Sequence, residues 1–507
     1  FLNPERASWP DIDTDICYKG RARVIEYLRS RYGAESVGGL STFKFLHGKT
    51  AIKDAGRVFG LSFQRLNNLT ADIPGLVEGK APKVSWIERE NAQVAAAALE
   101  DGRVAAALRA AELVEGIVRD TSVHASGIVV ADGPLWRTTP TLRDKRGGLV
   151  SQCDMNAAED AGLVKLDLLG LNNVTQMQEA ATAAGVDLGS VPLDDAETYR
   201  TFAKGDTLGV FQAGKPGFRR MLVSMKPDRF GDIIAAGALY RPGPLESGMT
   251  RSYIERKHGR EAHDSLHPAL DVVLQDTHAC IVYQEQVMSM VRILAGYSLG
   301  RADIVRKIMG KKKREMLDAE EKVFFASAQK HGVCDEATAR KAWEVIVANS
   351  GYSFNLAHSA AYGLISYLTA YLKTHHPAHF YAALLNVAAD EAKKTSRIGA
   401  IAADMAARGM RLLPPDVALS KADFFAEAND VRYGLLGLSR GLLGGRLRSG
   451  CVLRGGRLRG TVADAGEGRT DRNRLVFLHE NLLQRSRDRG GDLGVDLVGG
   501  DLDQGIV

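Results

Sequence analysis

Three aspartates close to the start of the chain have a spacing suited to metal-dependent phosphate chemistry. Asp11, Asp13 and Asp15 lie in an alternating run that predicts a short β-strand, in which side chains two residues apart point to the same face. Three like charges on one face repel each other unless a cation lies between them. Because Mg²⁺ prefers one or two carboxylates together with phosphate and water, the run is typical of a nucleoside-triphosphate site. The alternative is a solvated acidic strand at a sheet edge.

A fourth aspartate lies in apolar surroundings. Asp167 is within the segment 163–169, whose other residues are leucine, valine and lysine. A carboxylate in such surroundings is costly unless it is paired or metal-bound. If its strand lies beside the first one, two metal ions at the shared site would clamp the attacking 3′-oxygen and the leaving oxygen of an in-line displacement. Pairing with Lys165, or capping of the next helix, is the alternative.

Basic residues at three places are candidates for phosphate contacts. One group is a lysine run after a glycine, one is a stripe repeated every four residues along a predicted helix, and one is an arginine in a proline-containing turn. A solvated face, general solubility and a plain loop are the respective alternatives. The candidates are Lys311, Lys312 and Lys313 in the run, Lys49, Lys53 and Arg57 in the stripe, and Arg241 in the turn.

The elements that must position these residues predict an α+β protein. Apolar residues at helical spacing follow the first strand, from Val24 to Tyr32. Residues 44–118 read as helical with a break at Pro74, and short apolar strands follow. From 176 to 415 the chain is mainly helical. After about Arg440 the composition is rich in glycine and arginine without periodicity, which indicates a disordered basic arm or a degenerate C-terminus.

Composition narrows the class of protein. The 507 residues carry a net charge of only +5, so charge by itself does not indicate nucleic-acid binding. Five scattered cysteines without a CxxC pair argue against a zinc site and favour a reducing cytosol. No apolar run reaches the roughly 20 residues of a membrane span. The chain begins without methionine, so we expect it to start inside a larger gene product.

The motifs, taken in order, resemble the bacterial DNA polymerase III alpha subunit, a C-family replicative polymerase. The resemblance covers residues 1 to about 435. The matching segments are Phe1–Arg6 followed by Pro10–Asp15, Val123–Gly127, Gly162–Leu171, Gly209–Gln212, Leu239–Pro244, Tyr283–Met288, Met309–Lys313, Phe354–Asn355 with His358–Tyr362, and Leu413–Val417.

The resemblance implies a polymerase-beta-like palm, a helical thumb inserted into it and a large, mainly α-helical fingers domain. On that mapping the palm is 1–43 and 119–175, the thumb 44–118, the fingers 176–415, and 416–507 a degenerate or disordered C-terminal region. The family's catalytic carboxylates, which bind two Mg²⁺ ions, fall within Asp11, Asp13, Asp15 and Asp167, and which two of the first three bind metal stays open. The residues mapped to nucleotide binding are Arg241, Lys311, Lys312, Lys313, His358 and Ser359.

The implied function is a cytoplasmic, template-directed DNA polymerase that transfers nucleotides from deoxynucleoside triphosphates to a primer 3′-hydroxyl. Its partners would be primer–template DNA and, in the full-length protein, the sliding clamp and other replisome subunits. The chain departs from the family pattern at Leu356, where the family usually has lysine, and at 213–216. The family's N-terminal phosphoesterase-like domain and its C-terminal domains are also missing from the sequence. The alternatives are an impaired relative that only binds primer–template DNA and an error-prone lesion-bypass polymerase.

Overall fold

The computed structural model describes most of the chain up to residue 435. The first eleven residues lie outside it, and with them Asp11 and the opening motif. Lys312 and Lys313 also lie outside it, as does the side chain of Lys311. The described ranges are 12–77, 80–145, 147–263, 265–311, 314–350, 352–390 and 394–435.

A six-stranded mixed sheet forms the N-terminal part. Its strands are β1 (Ile12–Cys17), β2 (Val37–Phe45), β3 (Val118–Val130), β4 (Thr141–Arg143), β5 (Leu149–Ser151) and β6 (Val164–Leu171). They lie in the order β1-β6-β3-β2-β5-β4. Strand β1 pairs with β6 in parallel, and β6 pairs with β3 in antiparallel orientation. Strand β1 at the edge of the sheet and its neighbour β6 are therefore the strands that carry Asp13, Asp15 and Asp167.

One face of this sheet is closed by helix α1 (Arg21–Tyr32). Ile16, Ile128 and Leu168 form a hydrophobic cluster with Val24, Ile25 and Leu28 of α1. The helix predicted from the apolar spacing is thus confirmed. Because side chains alternate along a strand, the odd-numbered residues of β1 and β6 point to the opposite face. On that face helix α7 (Met155–Asp160) packs Ala158 against Leu163.

Five helices are inserted between β2 and β3, as the sequence predicted for 44–118. They have a hydrophobic core of their own, built on residues such as Ile52, Val84 and Leu108. The break predicted at Pro74 lies in the loop between the second and third of them. The helices are α2 (Gly48–Val58), α3 (Phe63–Leu69), α4 (Val84–Glu90), α5 (Ala92–Glu100) and α6 (Gly102–Val114).

The rest of the described chain is mainly helical, as predicted for 176–415. Three hydrophobic cores hold its helices together, and the first of them joins α9, α10, α11, α13 and α19. The helices are α8 (Asn172–Ala184), α9 (Ala196–Ala203), α10 (Pro216–Met225), α11 (Phe230–Leu239), α12 (Pro242–Glu246), α13 (Met249–Lys257), α14 (Pro268–Leu274), α15 (Gln284–Ala295), α16 (Leu299–Lys311), α17 (Arg314–His331), α18 (Glu336–Ser350), α19 (Leu356–His375), α20 (Pro377–Ala389) and α21 (Lys394–Ala407).

A small second sheet corrects the expectation of a degenerate or disordered region from 416. Strands β7 (Leu412–Leu413), β8 (Phe425–Glu427) and β9 (Asp430–Arg432) lie in the order β7-β9-β8. Phe424 and Val431 are buried in the core that contains α20. The expectation is wrong for 416–435, because strands of two or three residues are too short to show a period of two. Residues 436–507 lie outside the described chain.

Among the helices that the structure describes, none combines the length and the apolar character needed to cross a bilayer.

Candidate active site

Two of the predicted aspartates face each other across neighbouring strands. Asp13 of β1 is the direct partner of Asp167 of β6 in the parallel register, and Asp15 is opposite Leu169. Neighbouring strands lie about 4.8 Å apart, so the carboxylates of Asp13 and Asp167 emerge side by side on one face. Asp15, two residues along β1, shares that face. The structure therefore brings together the three predicted carboxylates that it describes.

Asp167 already has two partners within the protein. The Lys165 ammonium lies 2.7 Å from Oδ2, and the Ser126 hydroxyl donates a hydrogen bond of 3.1 Å to Oδ1. Burial by itself would raise the pKa of Asp167, but the Lys165 contact, the Ser126 hydrogen bond and the nearby His124 outweigh it and lower the pKa. The carboxylate is thus held ionised. The ion pair with Lys165, which the sequence left open, is present in the structure.

Arg21 holds the strands beside this carboxylate. Its Nε donates to the Leu168 carbonyl at 2.7 Å, and its Nη2 donates to the Ser126 carbonyl at 3.3 Å. The guanidinium therefore bridges β6 and β3. Leu168 directly follows Asp167, and Ser126 is hydrogen-bonded to it. No sequence signal indicates this role, since an arginine at the start of an amphipathic helix is usually solvated.

Helix α19, in the helical part of the chain, lies beside the sheet face that carries Asp13, Asp15 and Asp167, which we call the acidic face. The Tyr362 hydroxyl lies near Asp15 and Asp13, and its pKa is raised to about 12 by burial first, then by Asp15 and Asp13. His358, one helical turn earlier, stacks on Tyr362 with ring centroids 4.1 Å apart. Tyr362 was not among the predicted site residues. Its spacing of four from His358 on a helix is the signal that could have identified it.

A cavity of about 350 Å³ adjoins this contact. It unites three of the predicted nucleotide-binding residues, Arg241, His358 and Ser359, with Tyr362. Ser359 is only 3% exposed, and its hydroxyl has no hydrogen-bond partner in the described part of the chain. The cavity, which has polar residues in its lining, is therefore a candidate binding site.

Arg241 lines the cavity but is largely engaged by the protein. Its Nε donates to the Ala238 carbonyl at 2.7 Å and its Nη2 to the Tyr352 carbonyl at 2.6 Å. The guanidinium carbon also lies 4.2 Å from the centroid of the Phe354 ring. Burial lowers the pKa of Arg241. Through its contacts with Tyr352 and Phe354, Arg241 holds the segment that leads into α19.

Two further residues of the cavity were missed by the sequence reasoning. Lys215 directly precedes Pro216, the first residue of α10, and Gln212 lies in the loop before it. Gln212 has a φ of 55°, a left-handed conformation that is uncommon for residues other than glycine. The available signals were the proline at a helix start and the departure from the family pattern at 213–216.

The basic stripe lies away from these residues, on helix α2. Lys53 donates to the Asn67 side chain at 2.7 Å, and Arg57 forms an ion pair with Asp54, which also binds Arg119. Lys49 is half-buried on the same helix. A DNA-binding role for Lys49, Lys53 and Arg57 stays a prediction.

A divalent metal fits the carboxylates in chemical terms. Within the described residues no group of three His, Cys, Asp or Glu side chains is arranged to hold an ion. Asp13 and Asp167 nevertheless offer two adjacent, oxygen-only ligands, which is the protein share of a site completed by phosphate and water. Asp11 lies outside the described residues.

Comparison with known proteins supports one family. The model for the bacterial DNA polymerase III alpha NTPase domain matches residues 1–170, and that for the bacterial DNA polymerase III alpha subunit finger domain matches residues 167–332. DNA polymerase III subunit alpha of Aquifex aeolicus is 39% identical over 462 residues, covering 86% of this chain and 39% of the relative.

Two further relatives give the same result. DNA polymerase III subunit alpha of Caulobacter vibrioides is 39% identical over 86% of this chain and 38% of its own length. That of Thermus aquaticus is 39% identical over 86% of this chain and 36% of its own length. The chain thus spans less than two fifths of the length of these relatives. It belongs to the bacterial DNA polymerase III alpha subunit family.

Proposed function

We propose that the chain carries the nucleotidyl-transfer site of a template-directed DNA polymerase, which joins deoxynucleoside triphosphates to a primer 3′-hydroxyl. The observation that carries the proposal is the pairing of Asp13 with Asp167 on adjacent parallel strands, near a cavity whose lining residue Tyr362 lies close to Asp15. The family membership supports the same reaction. Pyrophosphate would be the leaving group.

We assign the helices and strands to three polymerase domains, the palm, the thumb and the fingers. The six-stranded sheet with α1 and α7 would be the palm, predicted as 1–43 and 119–175. The inserted helices α2–α6 would be the thumb, predicted as 44–118. The helices from α8 onward would be the fingers, predicted as 176–415.

Asp13 and Asp167 are the residues that would hold Mg²⁺, with Asp15 or Asp11 as further ligands. Two bound ions would neutralise the triphosphate and activate the 3′-hydroxyl. Arg21 and Ser126 fix the position of Asp167 before substrate arrives, so little reorganisation is needed during the reaction. Lys165 balances the charge of Asp167 while no cation is bound.

The partners follow from the same proposal. Primer–template DNA would contact the basic stripe of Lys49, Lys53 and Arg57, and the lysine run at 311–313 would reach the triphosphate or the template. Binding should weaken steeply with salt, because each phosphate contact releases counterions. A sliding clamp and replisome subunits would be partners of the full-length protein in the cytoplasm.

Primer extension tests the activity. The chain is incubated with a labelled primer–template, Mg²⁺ and four deoxynucleoside triphosphates at low salt, beside Asp13→Asn and Asp167→Asn. Both substitutions keep side-chain shape and remove a charge, so extension should fall more than about 100-fold. Asp132→Asn, at an exposed position just after β3, is the matched control and should extend normally.

The same assay separates the alternatives. Salt-sensitive DNA binding without extension by the unsubstituted chain would indicate a relative that only binds primer–template DNA. Equal extension by Asp13→Asn and the unsubstituted chain would exclude the proposed metal site. Efficient extension past a damaged template base would identify a lesion-bypass polymerase.

A further inference from the structure

The cavity beside α19 adjoins the acidic face. Tyr362 lines the cavity, and burial first, then the nearby Asp15 and Asp13, raise the pKa of its hydroxyl. Tyr362 therefore lies between a ligand in the cavity and the carboxylates. The volume of about 350 Å³ suits a small polar molecule or part of a larger one.

The hydroxyl of Ser359, which has no hydrogen-bond partner among the described residues, favours a ligand that can form a hydrogen bond. A serine within a helix can donate to the carbonyl three or four residues back. Ser359 is only 3% exposed, yet its hydroxyl forms no hydrogen bond with any described group. By contrast, Ser366 on the same helix and the same cavity donates to the Phe211 carbonyl at 2.9 Å. Because buried polar groups are nearly always satisfied, an acceptor from a ligand is the natural partner of Ser359.

The charge of the cavity favours an anion. Among the described residues that line it, two are permanently charged, Lys215 and Arg241, and none is acidic. Arg241 directs its Nε and Nη2 to the carbonyls of Ala238 and Tyr352. Within the described part of the chain no carboxylate forms an ion pair with Lys215, which is exposed. Lys215 is thus the cation most available to a ligand.

The start of α10 adds to this positive potential. Lys215 is the residue before Pro216, and the ten-residue helix begins there. Backbone N–H groups at a helix start are unsatisfied within the helix and favour negative charge. Gly217, in the first turn, allows the Tyr240 hydroxyl to approach so closely that an added Cβ would lie 2.1 Å from it.

The loop that leads into Lys215 is strained and anchored. Gln212 has a φ of 55° and lines the cavity. The preceding residue, Phe211, is tied to α19 at both backbone groups, since its N–H donates to the Thr369 hydroxyl at 3.1 Å and its carbonyl accepts from Ser366. Strained backbone that is held by its surroundings is common at ligand sites.

We propose that Lys215 binds the phosphate groups of an incoming nucleoside triphosphate in this cavity, with Ser359 as a hydrogen-bond donor, and that Arg241 is a positioning residue. The inference rests on the proposed function and names a further binding residue of the same site. It also assigns the direction of the nucleotide, with its phosphates toward the start of α10.

Two measurements on the full chain test it. The first is calorimetric binding of inorganic tripolyphosphate, which needs no extension activity. The second is the KM for deoxynucleoside triphosphates in primer extension, together with kcat and the Kd for primer–template DNA. The variants are Lys215→Ala, Lys215→Arg and Ser359→Ala. Lys204→Ala, at an exposed lysine that ends α9 outside the cavity, is the control.

We expect Lys215→Ala to weaken tripolyphosphate binding and raise the nucleotide KM about 10-fold, which corresponds to one charge-assisted contact. The Kd for DNA and kcat should stay within about twofold, Lys215→Arg should restore most of the binding, and Lys204→Ala should change nothing. Ser359→Ala should raise the KM without lowering the midpoint of urea unfolding, because its hydroxyl has no partner to lose.

Other outcomes overturn the inference. An unchanged tripolyphosphate affinity in Lys215→Ala would remove Lys215 from the site. A weakened Kd for DNA with unchanged tripolyphosphate binding would mean that Lys215 contacts a DNA phosphate instead. If the unsubstituted chain fails to extend primers but binds tripolyphosphate in a Lys215-dependent way, the inference stands and the polymerase proposal falls.

Discussion

Helix α19 carries His358, Ser359 and Tyr362 near its start, and a buried lysine anchors its other end. Lys373 is fully buried, and its ammonium lies 2.8 Å from Asp206 Oδ1, 2.8 Å from Asp404 Oδ2 and 3.0 Å from the Leu208 carbonyl. The helix end is thereby tied to the α9–α10 loop and to α21. We predict that this buried contact contributes strongly to the stability of the fold that holds α19.

Lys373→Met tests the anchor with a side chain of similar length and no charge. Removing one partner of a buried ion pair costs about 3–5 kcal/mol, because the opposite charge is left unpaired. The lower end of that range applies here, since Asp206 keeps a contact from Arg408 and Asp404 keeps a hydrogen bond from Tyr381. The expected loss in free energy of unfolding is therefore about 3 kcal/mol.

Urea denaturation followed by circular dichroism measures this loss. Lys204→Met, at an exposed lysine, is the matched control and should cost less than about 0.5 kcal/mol. Adding Asp404→Asn to Lys373→Met should cost less than the sum of the two single substitutions, because the unpaired carboxylate is removed. If Lys373→Met lowers the free energy of unfolding by no more than Lys204→Met does, the burial argument is refuted.

Three further predictions concern the packing and charge around the site. Gly217→Ala should lower the free energy of unfolding by about 1–3 kcal/mol in urea, since its Cβ would lie 2.1 Å from the Tyr240 hydroxyl, whereas Gly231→Ala, with open space around it, should not. Burial would raise the pKa of Asp206, but Lys373 and Arg408 outweigh it and hold the pKa below 3.8. Asp206→Asn should therefore lower stability at pH 7, and the difference from the unsubstituted chain should shrink as the pH falls below about 4, in urea titrations at each pH. Arg21→Met should lower kcat in primer extension more than it raises the nucleotide KM, because it loosens Asp167; equal stability with unchanged kcat would contradict the positioning role.

The sequence determined the local elements of this protein. Alternation of Ile12, Thr14 and Ile16 with aspartates predicted β1, and the apolar spacing of Val24 to Tyr32 predicted α1, because these periods follow from backbone geometry alone. The helical insertion between two strands was predicted in the same way. The second sheet was missed, since its strands of two and three residues show no period.

Some residues of the candidate site could be identified from the sequence. Asp13 and Asp167 were identified from their types and surroundings, and the structure shows that their strands are neighbours, which the sequence left as a condition. The sequence does not state their register, because strand pairing between residues about 150 apart depends on the packing of the whole sheet. A shift of one residue would have turned the two carboxylates to opposite faces.

Only the tertiary structure decided which charged groups are available. Arg241 is directed at backbone carbonyls, although it looks like a free cation in the sequence. For Lys165 the sequence left pairing with Asp167 open, and the structure shows that ion pair. Lys215 was not identified from the sequence, where its only signals were the following proline and the departure from the family pattern, yet it lines the cavity together with Ser359. The physical reason is that a side chain's residue type is local, whereas its burial and its partners are set by chain segments brought together on folding.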